Sequence, residues 1–140
     1  MVPFERSAGP RPGDGSPESL RDGLAEIRGL LTADRERTSA LILSLTRSFD
    51  SIVEATQDTA TDDEHDPEGS TIAFERSHAS ATLASAERHL ADVEAALGRI
   101  AQGHYGHCER CGEPVSPERL LARPVARTCI SCATKAREGR

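Results

Sequence analysis

The stretch STIAFERSHASATLASAERHLADVEAALGRIAQG, Ser70 to Gly103, decides how this chain folds. Ile72, Ala79, Leu83, Ala86, Leu90, Val93, Leu97 and Ile100 form one apolar series, with only Arg76 out of character. A half-buried strand would alternate every second residue. Steps of three and four instead draw a single stripe along a helix, the seam of a coiled coil. Ser70 can cap this helix and Gly103 can end it. The small residues Ala79 and Ala86 let a partner helix approach closely.

That partner lies upstream. Leu20, Leu24, Ile27, Leu31, Leu41, Leu45 and Ile52 make a second stripe, interrupted by Asp34 and Thr38. Ser16-Pro17-Glu18 reads as its start: a capping hydroxyl, a proline suited to the first helical position, and an acid at the positive helix end. The two helices should be roughly 40 and 32 residues long, about 60 and 48 Å at 1.5 Å per residue. Neither can bury its stripe alone, and Pro67 and Gly69 break the segment between them. The expected fold is mainly α. Residues 17–103 form a long antiparallel helical hairpin with its tip at 59–69. It follows a disordered tail, 1–16, rich in Gly, Pro and Ser.

Downstream, residues 104–140 carry every cysteine of the chain, as Cys108-x-x-Cys111 and Cys129-x-x-Cys132. Seventeen residues separate the pairs, a spacing that suits a four-thiolate zinc site. Zn²⁺ takes four ligands tetrahedrally, and a site closed by four protein ligands has no position open for water or substrate. One structural Zn²⁺ on Cys108, Cys111, Cys129 and Cys132 is therefore expected. Two disulfides would imply secretion, but residues 1–17 lack the apolar core of a signal peptide. A thioredoxin-like pair would need a βαβ setting, which is not visible. His104 and His107 read as ordinary loop residues.

Charge is polarised along the molecule. Glu54, Asp58, Asp62, Asp63, Glu64, Asp66 and Glu68 crowd the turn without a Lys or Arg among them, whereas residues 104–140 hold seven Lys or Arg against four acids. Such a run is ordinarily a solvated turn; at the end of a thin rod it can also be carried into a channel or towards a cationic cluster. The net charge of −6 and three Phe, one Tyr and no Trp disfavour nucleic-acid binding by a broad basic surface or base stacking. No stretch approaches the roughly 20 apolar residues that cross a membrane. G-x-S-x-G, a phosphate-cradling Gly loop and H-E-x-x-H are all missing, so an enzyme is not expected.

The finger and its approach resemble the DksA/TraR family of zinc-finger transcription factors. Gly103-His104-Tyr105-Gly106-His107-Cys108-Glu109-Arg110-Cys111-Gly112 is similar to the family's G-x-Y-G-x-C-x-x-C-G. Arg119-Leu120-Leu121-Ala122-Arg123-Pro124 is similar to its R-L-x-A-x-P, and Ala95-Ala96-Leu97-Gly98-Arg99-Ile100 to its A-L-x-R-I. At the tip, His65-Asp66-Pro67-Glu68-Gly69 with Phe74-Glu75-Arg76 looks closer to the shorter branch of Gram-positive bacteria. Asp63 and Asp66 keep the D-x-x-D spacing, with Glu68 where the family's D-x-x-D-x-A has Ala.

The resemblance implies a cytoplasmic, monomeric regulator that binds RNA polymerase rather than promoter DNA. It would place its acidic tip, Asp62, Asp63, Glu64, Asp66 and Glu68, in the secondary channel to modulate initiation. Some members act with ppGpp in the stringent response, and Arg119, Arg123 and Arg127 would then touch polymerase or ligand. Two other readings stay open from sequence alone: a nucleic-acid-binding zinc ribbon, and a coiled-coil adaptor of another complex.

Overall fold

Two prolines open the two long helices. A computed structural model describes residues 17–58 and 67–139, with α1 spanning Pro17–Asp58, 42 residues, and α2 spanning Pro67–Gln102, 36 residues. Two short helices follow, α3 at Pro117–Ala122 and α4 at Ile130–Glu138. The tail, the capping residue Ser16 and the middle of the turn lie outside the described residues.

The helix ends show what sets their limits. Proline fixes a helical φ and lacks the N–H that a first turn leaves unpaired, so Pro67 starts α2. Ser70, expected as the cap, therefore sits inside the first turn. The C-terminal end is as expected. Gly103 takes φ +75°, its N–H donates to the Ile100 carbonyl at 3.2 Å, and that of His104 reaches Arg99 at 2.9 Å. This is a Schellman closure, which needs a left-handed residue that glycine supplies without strain.

The helices run antiparallel. Asp34 of α1 meets His89 of α2; Ile27 and Leu31 cluster with Val93, Ala96 and Ile100; and Phe49 shares a shallow groove with Ala73, Arg76 and Ser77. The seam of α1 differs from the expected stripe in two places. Leu20 and Leu41 are 66 % and 48 % exposed, while Ile42 and Phe49 are half-buried. From Leu24 one line of buried and half-buried positions runs Ile27, Leu31, Asp34, Thr38, Ile42, Leu45, Phe49 and Ile52. Two successive four-residue steps, at Thr38 and Ile42, move the Ile27–Asp34 series on by one residue to Ile42 and Phe49, while Leu24, Leu31, Thr38, Leu45 and Ile52 keep their seven-residue spacing. Leu41 is thereby turned outward.

Asp34 and Thr38 do not interrupt the packing but belong to it. Thr38, 6 % exposed, donates to Asp34 Oδ1 at 3.2 Å, and Asp34 Oδ2 lies 2.8 Å from His89 Nε2. Below this polar layer sits the main core. Leu31 and Val93 are fully buried there, and Ile27, Ala96 and Ile100 join Cys108, Val115 and Leu120 in one continuous cluster. Burying each large aliphatic side chain contributes roughly 1.5–3 kcal/mol. The finger and the hairpin base thus share a single core.

Candidate metal centre

The first pair of cysteines sits on a tight loop. Gly106 and Gly112 take φ +93° and +76°, a region in which only glycine is unstrained. Between them Cys108 N–H donates to Glu113 O at 2.8 Å and Gly112 N–H to Cys108 O at 2.9 Å. Val115 N–H closes the loop on Gly106 O at 2.8 Å. A Cβ on Gly106 would come within 3.7 Å of Leu120, so the loop lies close against α3.

The second pair is placed by helix ends. Ser116 caps α3, accepting from Arg119 N–H at 3.3 Å. Cys129 caps α4, its Sγ accepting from Cys132 N–H at 3.5 Å. Three bonds tie the halves together: Glu109 N–H to Arg127 O at 2.9 Å, Arg119 Nε to Thr128 O at 2.9 Å, and Tyr105 Oη to Pro124 O at 2.7 Å. The phenol is half-buried, and burial raises its pKa above the usual value, against the opposing pull of Arg99.

The four Sγ atoms of Cys108, Cys111, Cys129 and Cys132 all lie within 4.8 Å of one another. Cys111 and Cys129 are 3.8 Å apart at sulfur and unbonded. A tetrahedron with Zn–S bonds of about 2.3 Å requires sulfurs about 3.8 Å apart, so the thiols are spaced as ligands rather than as disulfides. Their acidities diverge as crowding demands. Backbone amides, first that of Cys129 and then that of Cys111, lower Cys108 to about 6. A side-chain hydrogen bond with Cys129 and then burial push Cys132 up to about 12. Four adjacent thiols cannot all ionise unaided; a bound dication removes that barrier and holds them as thiolates. The chain carries one structural Zn²⁺ at this site.

His104 and His107 are exposed and, among the described residues, the sulfur cluster includes neither. The three finger arginines separate by role. Arg119 is half-buried and holds the Thr128 carbonyl. Arg127 stands 4.0 Å from Glu109, and Arg123 is exposed, its N–H closing α3 on Arg119 O. Asp62, Asp63, Glu64 and Asp66 lie outside the described residues, as does the side chain of Glu68 in the first turn of α2. Sequence reasoning passed over His89; the one available signal was an unpaired acid, Asp34, on the opposing seam.

Residues 103–138 match the model of the prokaryotic dksA/traR C4-type zinc finger. An uncharacterized protein of Aquifex aeolicus is 48% identical over 44 residues, 31% of this chain and 30% of that protein. The RNA polymerase-binding transcription factor DksA of Haemophilus influenzae is 43% identical over 44 residues, and that of Escherichia coli strain K12 41%. The chain thus spans only 30% and 29% of those two relatives' lengths. In fold, the chain is similar to transcription factor DksA2 from Pseudomonas aeruginosa, with a TM-score of 0.70 over 84% of each chain at 24% identity. Residues 103–138 thus carry a prokaryotic dksA/traR C4-type zinc finger, in a chain whose fold is similar to that of DksA2.

Proposed function

We propose that this protein is a transcription regulator that binds RNA polymerase directly and modulates initiation by inserting its acidic coiled-coil tip into the secondary channel. The observation that carries this reading is a C4 finger of the DksA/TraR type at the foot of a hairpin shaped like that of DksA2. Two relatives matched over 44 residues are named RNA polymerase-binding transcription factors. The protein acts as a cytoplasmic monomer without chemistry of its own. No described helix is long and apolar enough to cross a membrane.

The division of labour follows the charge. Asp63 and Asp66, with Asp62, Glu64 and Glu68, form the effector tip. The zinc-stapled base docks, with Arg119, Arg123 and Arg127 facing polymerase or a ligand such as ppGpp, Arg119 also holding the Thr128 carbonyl. The test is binding of the zinc-loaded protein to its host's core polymerase, paired with in vitro transcription with and without ppGpp. An Asp63→Asn/Asp66→Asn variant should still bind but lose the transcriptional effect. No binding by the unaltered protein would remove this function.

A further inference from the structure

One half of each apolar seam repeats so regularly that it does not by itself choose one alignment. Leu24, Leu31, Leu45 and Ile52 fall on one seven-residue series in α1, broken only at Thr38; Ile72, Ala79, Ala86, Val93 and Ile100 fall on another in α2. Sliding one helix past the other by seven residues again sets aliphatic side chains opposite aliphatic side chains. Burial of apolar surface is non-directional, so it discriminates weakly between such registers.

The polar layer does discriminate. Asp34 Oδ2 is 2.8 Å from His89 Nε2, and Asp34 Oδ1 accepts from buried Thr38 at 3.2 Å. Arg37 stands 3.8 Å from the same carboxylate. Shifted by seven residues in either direction, Asp34 would face Thr82 or Ala96, and His89 would face Ile27 or Leu41. Neither shift supplies a replacement, since the Thr82 hydroxyl is already bonded to the His78 carbonyl at 2.9 Å. Every heptad slip therefore takes His89 from Asp34 and leaves the carboxylate only Thr38 and Arg37 of its own helix, whereas the observed register joins the two helices through the pair. A single polar contact in an apolar seam is a known means of fixing coiled-coil register at some cost in stability.

We infer that the Asp34–His89 contact, backed by Thr38, is the register lock of the hairpin. It sets how far the apical end of α1, Asp58, stands from the zinc finger, while Pro67 is held at a fixed distance by α2 itself. One heptad of slip would change that reach by about 10 Å.

The test uses the full zinc-loaded chain carrying nitroxide labels on p-acetylphenylalanine at the exposed positions Ser44 and Glu94, which spares the four thiols. Pulsed EPR should give one narrow distance for the parent. Asp34→Leu/His89→Leu should stay helical with an equal or higher Tm, yet add a population displaced axially by about 10 Å. The exchange Asp34→His/His89→Asp should return a single distance. One unchanged distance in the leucine variant would overturn the inference, because the base would then set register unaided. Loss of helix in that variant would also overturn it, making the layer a general support. Two populations in the exchange variant would deny that the pair is what selects.

Discussion

Leu31 is 1 % exposed and packs in the cluster where both helices and the finger meet. Leu31→Ala should therefore cost about 2–5 kcal/mol, the range for a buried leucine whose cavity cannot fully collapse. Leu41, of the same type ten residues on, is 48 % exposed, and Leu41→Ala should change stability by no more than about 0.5 kcal/mol. Urea unfolding of the two variants side by side checks the pair. Tyr105 offers a second test. Its hydroxyl holds the Pro124 carbonyl at 2.7 Å, so Tyr105→Phe should cost about 0.5–1.5 kcal/mol. Burial raises the phenol's pKa above its ordinary value of 10.0. The folded chain therefore keeps a proton that the unfolded chain has lost, and this contribution to stability declines as pH rises above 10. Tm measured against pH in the parent and in Tyr105→Phe should converge at the alkaline end.

At the scale of elements, the finger was the most legible part of the sequence because its determinants are local. Two C-x-x-C pairs, Gly103, Gly106 and Gly112 announce their geometry within a few residues. The hairpin seams were legible as periodicity but not in phase. Leu41 and Ile42 are both apolar and no local signal separates them, yet Ile42 is half-buried and Leu41 is exposed. Asp34 read as an interruption because its partner His89 lies 55 residues away, beyond any local pattern. Serine is the better cap in isolation, yet Pro67 starts α2 three residues ahead of Ser70. The finger's own prediction concerns metal. Cys111→Ser, or chelation of the parent, should release the Zn²⁺ and lower the melting temperature of the whole chain, since binding energy at such a site is folding energy. Acidification should act in the same direction, because protons compete for the thiolates. Metal retention followed with a zinc indicator as pH falls, alongside far-UV circular dichroism, checks both. Retention of zinc by a variant lacking all four thiols would contradict the site.

For the molecule as a whole, the absence of a boundary matters most. Cys108, Val115 and Leu120 of the finger are buried in the same cluster as Ile27, Leu31 and Val93 of the rod. The chain should therefore melt in one transition when zinc is bound, with finger and hairpin probes superimposing. Two separated transitions would show that the shared core contributes little. This continuity also constrains how such proteins can be recombined. A graft that exchanges finger for finger at Gly103 would cut through the packing and leave each parent's half facing side chains shaped for another partner. A crossover made in matched positions of both helices, above the Asp34–His89 layer, would carry finger and base across together. In chimaeras between relatives the transferable cassette is thus the finger with its lower hairpin, and the interchangeable part is the apical half of the rod.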